Sequence, residues 1–174
     1  MIRACIALGS NLDDPAAQIQ HAVDALATLP HSTLVACSPL YRTAPVGPQD
    51  QPDFINAAAL LDTTLSPLAL LDALQALEQA AGRERRRHWG ERTLDLDLLL
   101  YGDQTLDLPR LTVPHPRLHE RAFVLVPLFA LAPSLVLPDG TSLASLRQQC
   151  DDAGVWYHAP PPVPRTSGGP KDAE

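Results

Sequence analysis

Arg83-Glu84-Arg85-Arg86-Arg87-His88-Trp89-Gly90-Glu91-Arg92-Thr93-Leu94-Asp95-Leu96-Asp97-Leu98-Leu99-Leu100 opens as a run of guanidinium groups and closes as an apolar segment carrying two carboxylates. The second half alternates, with Leu94, Leu96 and Leu98 on one side and Asp95 and Asp97 on the other. In a strand, side chains two apart share a face about 7 Å from one another. The spacing therefore predicts a strand over residues 94–101 that holds both carboxylates side by side. Ionised and unpaired among buried neighbours, each would be penalised by desolvation and repelled by the other. A positive partner is expected, and a divalent metal fits: magnesium favours carboxylate oxygens and bridges to substrate phosphates. The same alternation also suits an edge strand with two Asp on its solvent face.

Immediately upstream, Arg83, Arg85, Arg86, Arg87 and Arg92 flank the pair Trp89-Gly90. Arginine is a fixed charge whose planar fork matches phosphate oxygens. A basic, glycine-containing loop leading into Asp-x-Asp has the parts for a metal–polyphosphate, although a solvated charge run has the same composition. The surrounding chain narrows the choice. Net charge is −7, so the Arg cluster in an acidic protein suits a small anion better than nucleic acid. The only lysine is Lys171, which excludes a Walker A lysine, a kinase-type strand lysine and a Schiff-base lysine from the folded part. Cys5, Cys37 and Cys150 are widely spaced and odd in number, so a reducing cytoplasm is expected, with no disulfide framework. No apolar run approaches a membrane span, and the N-terminus does not read as a signal peptide.

Working outward, Ser66-Pro67 opens a helix with a capping serine and proline at its first position. Leu68, Leu71, Leu74, Leu77 and Ala81 form its apolar stripe, with Gln75 and Glu78 on the polar side. Before it, residues 54–63 read as a strand in which Asn56 is polar among apolar neighbours. A buried amide there needs partners, either the edge of a heterocycle or the backbone. Residues 43–53 form a long loop with three prolines, of the kind that often binds ligands. Residues 32–42 read as one strand, and residues 2–8 as the first. Between these, Asp13 or Asp14 caps a helix with Pro15 at its start and Ile19, Ala22, Val23, Leu26 and Leu29 on its buried face. Gly9-Ser10-Asn11 is a turn cluster, read as structural because it lacks the glycine pattern and lysine of a phosphate loop.

Downstream, residues 106–113 are expected to be extended. Pro114-His115-Pro116-Arg117-Leu118-His119-Glu120-Arg121 gathers two His and two Arg, but Pro116 breaks the helix that would align both imidazoles on zinc. Residues 122–132 read as a helix despite Pro127, residues 135–137 as a short strand and residues 142–149 as a last helix. From Ala159 onward the Pro- and Gly-rich composition predicts a disordered tail. One domain over residues 1–158 and a tail over residues 159–174 follow. The order strand–helix–strand–strand–helix–strand is the split pattern of a ferredoxin-like α+β sandwich, here with a C-terminal extension.

Residues 87–99, Arg87-His88-Trp89-Gly90-Glu91-Arg92-Thr93-Leu94-Asp95-Leu96-Asp97-Leu98-Leu99, closely resemble the signature of the 6-hydroxymethyl-7,8-dihydropterin pyrophosphokinase family. Tyr41-Arg42-Thr43 and the stretch from Gly47 to Asn56 also look like that family's pterin-binding loop and strand. The resemblance covers roughly residues 2–142. It implies transfer of the β,γ-pyrophosphoryl group of ATP to the pterin's hydroxymethyl, releasing AMP, with two magnesium ions on Asp95 and Asp97. Arg83 and Arg92 would stabilise charge on the transferred and leaving groups. Phe54 and Phe123 would sandwich the pterin, Asn56 and the backbone around Thr43, Ala44 and Val46 would read its polar edge, and Trp89 would help exclude water. Contacts to ATP would come from Gln75, Glu78, Arg83, Arg85, Arg92, Leu98, Arg110, Thr112, His115 and Arg121. Two departures are visible: Pro116 stands where some members carry an aromatic, and Phe54 where some carry Tyr. A cytoplasmic monomer acting on ATP and the pterin, without nucleic acid or membrane, is the resulting expectation. The alternatives are an RNA- or partner-binding ferredoxin-like module and another Asp-x-Asp nucleotidyltransferase, which would release pyrophosphate instead of AMP.

Overall fold

A computed structural model describes residues 1–45, 47, 49–82 and 93–165. The chain runs β1 (Ile2–Ser10), α1 (Pro15–Ala27), β2 (Ser32–Cys37), β3 (Leu40–Thr43), β4 (Phe54–Thr63), α2 (Pro67–Ala80) and β5 (Asp95–Tyr101). It continues through β6 (Leu106–Leu108), β7 (Leu111–Val113), a 3₁₀ turn at Leu118–Glu120, α3 (Ala122–Leu131), α4 (Leu143–Gln149) and β8 (Val155–Ala159). The main sheet is ordered β5-β1-β4-β3-β8, with β2 also paired to β4. All these pairs are antiparallel. This is the expected ferredoxin-like sheet, with β8 added beside β3.

Side-chain alternation sorts the sheet into two faces. Ala4, Ile6 and Leu8 of β1 pack with Ile19, Val23 and Leu26 of α1 and Leu70 and Leu74 of α2. On the opposite face, Cys5, Ala58 and Leu60 meet Leu125 and Leu128 of α3 and Leu143 of α4. The C-terminal extension therefore covers the sheet face that α1 and α2 leave. Both early helices start where the sequence predicts: Asp14 Oδ1 accepts the Ala17 N–H and Ser66 Oγ the Ala69 N–H, each with proline next. Such caps contribute about 1 kcal/mol each.

Five expectations need correction. Residues 32–42 are two strands. At the junction Ser38 donates its N–H to Ala58 O, and its Oγ accepts the Ala58 N–H at 2.9 Å. Pro39, with no N–H to give, then redirects the chain into β3. The stripe on α2 is centred on Leu70, Leu74 and Glu78, whereas Leu68 is exposed. Residues 106–113 form a hairpin, β6 against β7, instead of one extended run. Residues 135–137 make only an isolated bridge, Val136 to Ser142. Finally, Ala159 does not begin a structureless tail. It ends β8, and Arg165 reaches back to α1, donating from Nε and Nη2 to Asp24 Oδ2 at 3.0 and 2.9 Å. Residues 166–174 lie outside the described residues.

Strand β5 carries a bulge. Leu98 faces Ile6, but Cys5 faces Leu100, so Leu99 is the extra residue. Leu98 and Tyr101 thus pack on the α1–α2 side, and Leu99 and Leu100 on the other. The Tyr101 hydroxyl donates to Leu65 O at 2.6 Å, tying the far end of the strand to the start of α2.

Candidate active site

The two carboxylates sit where the alternation put them. Asp95 is opposite Gly9 and Asp97 opposite Ala7 on β1. Gly9 is in turn opposite Asn56 on β4, and Asn56 is opposite Tyr41 on β3. One row across the sheet therefore reads Asp95, Gly9, Asn56, Tyr41. With strands about 4.8 Å apart, Asp95 and Asn56 are about 10 Å from one another on the same face. Both Asp side chains are half-buried at the edge of the sheet.

The edge is itself closed from outside. Glu78, on α2, is 8% exposed, and its Oε2 accepts the Leu96 N–H at 2.8 Å. The backbone between the two Asp residues is thereby pinned from the side away from β1. Glu78 does not share a solvated face with Gln75, which is exposed and accepts from Arg110 Nη2 at 3.3 Å.

Opposite the carboxylates stand His115 and Arg121. The chain passes through a cis Val113-Pro114 peptide, and His115 donates its N–H to Leu99 O at 2.9 Å, which docks this segment on β5. Burial holds the His115 imidazole below its ordinary range; Asp97 pulls the other way, and Arg121 and Arg117 reinforce the depression. Burial likewise lowers the Arg121 guanidinium, against the attraction of Asp97. Arg121 also lies over the Phe123 ring, 5.4 Å from its centroid.

Beside this row is a cleft of about 260 Å³. Thr43 and Ala44 form one wall, Arg117, Glu120, Arg121, Ala122 and Phe123 a second, and Asp151, Gly154 and Val155 a third. Ala44 donates to Gly154 O at 2.9 Å, so β8 and the segment before it hold the wall that follows β3. Asn56 Nδ2 donates to Thr43 Oγ1 at 2.7 Å, both residues being buried. Phe54 is paired with Thr43 and lies on the same face as Asn56.

The loops at this end are tied to the turn after β1. Ser10 Oγ donates to Thr93 O at 2.5 Å, and Asn11 Nδ2 donates to Gln51 Oε1 and Pro52 O, both at 3.0 Å. Ser10 and Asn11 are buried. Ser10 and Asn11 thus anchor two loops, in keeping with their structural reading.

Of the residues expected at the site, the fold gathers Asp95, Asp97, His115 and Arg121 on one face, with Thr43, Ala44, Phe54, Asn56 and Phe123 beside them. Gln75, Arg110 and Thr112 lie apart, on α2 and the β6–β7 hairpin near the outer edge of β5; Arg110 bonds there to Asp72 at 2.5 Å. Leu98 points into the α1–α2 core, which leaves only its backbone for a ligand. Val46, Arg83, Arg85, Trp89 and Arg92 lie outside the described residues. Residue patterns named Gly9 only within a turn cluster and Arg117 and Glu120 only within the His–Arg run, and did not single out Asp151 or Gly154. The last two become visible only once β8 is known to fold back beside β3.

Comparison with known proteins adds four findings. A model of the family described as 7,8-dihydro-6-hydroxymethylpterin-pyrophosphokinase matches residues 5–133. A Pseudomonas aeruginosa protein named 2-amino-4-hydroxy-6-hydroxymethyldihydropteridine pyrophosphokinase is 58% identical over 153 residues, covering 88% of this chain and 94% of its own. A Haemophilus influenzae protein of the same name is 52% identical over 152 residues, covering 87% and 95%. Among solved structures, Plasmodium falciparum HPPK-DHPS with pteroate superposes with a TM-score of 0.69 at 15% identity. It covers 85% of this chain, and this chain spans 42% of that longer one, so this likeness speaks to the fold alone.

Proposed function

The chain belongs to the 7,8-dihydro-6-hydroxymethylpterin-pyrophosphokinase family, and on that premise we propose how its cleft and carboxylate row divide the work of one reaction. The protein transfers pyrophosphate from ATP to 6-hydroxymethyl-7,8-dihydropterin. The acceptor oxygen bonds to the β-phosphorus, the bond between the α- and β-phosphates breaks, AMP departs and the hydroxyl proton is released.

The observation that carries the division of roles is the row itself. Asp95 and Asp97 share a face with Asn56, two strands away across β1, and His115 and Arg121 stand over that face. Two half-buried carboxylates at a sheet edge suit magnesium, which is commonly held by one or two carboxylates and completed by substrate phosphates and water. When bound, magnesium withdraws charge from the attacked phosphorus and lowers the pKa of the acceptor hydroxyl. Asp95 and Asp97 would hold it, two ions being the expectation, while Glu78 keeps the strand between them in register.

Arg121 offers a guanidinium to phosphate oxygens, and His115, kept neutral by burial, can donate or accept a hydrogen bond there. By their place in the motif alone, Arg83 and Arg92 are assigned the charge on the transferred and leaving groups, and Arg85 a contact to ATP. The pterin lies in the Thr43–Phe123 cleft, Phe54 and Phe123 on its faces and the Asn56 amide at its edge, with Ala44 beside it; Val46 and Trp89 are assigned to the pterin by the resemblance alone. Gln75, Arg110 and Thr112 are placed for the nucleoside end of ATP, with Glu78 and the Leu98 backbone nearby. No helix among the described residues is long and apolar enough to cross a membrane. A cytoplasmic monomer is the form we assign to the enzyme.

The test is AMP formation from ATP and magnesium with and without 6-hydroxymethyl-7,8-dihydropterin. Pterin-dependent AMP is expected, and Asp97→Ala should lower it by about two to three orders of magnitude. Pterin-independent turnover, or pyrophosphate as the released product, would overturn the assignment.

A further inference from the structure

We propose that Gly9 is a positioning residue whose missing side chain sets the direction in which the Asn56 amide faces the acceptor substrate. The inference rests on the function given above and concerns how the same site selects its acceptor.

The backbone gives no reason for glycine here. Glycine in a strand interior weakens it, and Gly9 sits inside β1, paired on one side with Asp95 and on the other with Asn56. Among the described residues the glycines with positive φ are Gly47, Gly82, Gly102 and Gly140; Gly9 is not one of them. The reason lies across the strand. A Cβ at Gly9 would come within 2.6 Å of Asn56 Oδ1, far inside contact distance. The next nearest atoms, Asn56 Cγ at 3.7 Å and Ile55 O at 4.0 Å, would be in ordinary contact. Only the amide oxygen forbids a side chain.

The other end of the same amide is fixed by Thr43, whose Oγ1 accepts from Nδ2 at 2.7 Å. The carboxamide is thus held between a hydroxyl on β3 and a bare backbone on β1. Its oxygen is directed along the row toward Asp95, and its N–H₂ toward the cleft wall. An amide oxygen accepts only, so in this setting it selects a heterocycle that presents an N–H donor to it. Rotating the amide would offer donors to donors, and a site built to hydrogen-bond its substrate discriminates strongly when such a group is left unmatched.

Gly9→Ala tests this directly. Because the colliding atom ends a side chain, the strand should persist and the amide should turn. We expect KM for the dihydropterin to rise about tenfold, as for one lost hydrogen bond, with KM for ATP and the thermal midpoint nearly unchanged. Thr43→Val, which removes the acceptor of Nδ2 while keeping volume, should raise the same constant. The double variant should be less than additive, since both changes release one amide. Should Gly9→Ala lower Tm by more than about 5 °C, adding Asn56→Ala should restore it by removing the oxygen.

A dihydropterin KM within twofold of wild type, equal shifts in both KM values, or no recovery in that double variant would each overturn the inference. Wild-type protein that fails to make pterin-dependent AMP would instead overturn the function on which it rests. The two failures are therefore distinct.

Discussion

Glu78 shows how much one buried carboxylate can arrange. Helical spacing put it beside Gln75 on the polar side of α2, and the leucines around it gave no sign otherwise. What the spacing cannot contain is that α2 packs against β5, which among the described residues is the edge strand of the sheet. A backbone donor buried there must find an acceptor, and Glu78 Oε2 meets the Leu96 N–H. Glu78→Ala should therefore cost about 1–3 kcal/mol in urea unfolding, whereas Glu78→Gln, which keeps an acceptor, should cost less than about half of that. The alanine variant should also lose AMP formation, because the backbone between Asp95 and Asp97 is no longer pinned. Equal stability of both variants would mean the bond contributes nothing. The Asp pair itself, by contrast, was legible from alternation alone, as was the polar Asn56 among apolar neighbours.

At the scale of elements, strands whose partners lie on both sides were the easiest to read. Residues 54–63 match β4 end to end, and both helix starts follow from a capping side chain and a proline. Breaks within extended segments were not legible. The split between β2 and β3 depends on Ser38 replacing one rung of the ladder with its own side chain, a matter of pairing with Ala58 and not of propensity. Ser38→Ala should strand the Ala58 N–H and cost about 1–3 kcal/mol, read as a shift of the urea midpoint without a change in slope. An unchanged midpoint would show that the backbone closes over the gap unaided. The bulge at Leu99 escaped for a similar reason: a run of three leucines looks the same whichever face each one takes.

For the molecule as a whole, the resemblance and the element order gave the ferredoxin-like sheet, and the helices over residues 122–132 and 142–149 were read as such, while β8 stayed hidden. Val155-Trp156-Tyr157-His158-Ala159 is rich in residues that suit strands, but the prolines after it drew the boundary too early. The segment past β8 closes on α1 through Arg165 and Asp24. Burial pushes the Asp24 carboxyl up, yet the Arg165 N–H and guanidinium, with Gln20, outweigh it and hold it below the usual carboxylate range. A depressed folded value means the contribution is complete above the ordinary aspartate pKa of about 3.9 and fades as pH falls through it and below. Arg165→Ala should thus lower stability at pH 7 by about 0.2–1 kcal/mol, and the gap from wild type should shrink toward zero by about pH 2–3. A gap independent of pH would assign the loss to packing instead. The place of β1 in the sheet has a further consequence, for synthesis. It precedes both of its neighbours in the chain and lies between them, β4 on one side and β5 on the other. At about 5–20 residues per second on the ribosome, it waits on the order of ten seconds before β5 emerges. Through that interval the side of β1 that pairs with β5 has no strand against it. Gly9, Asn56 and Asp95 meet only when the wait is over.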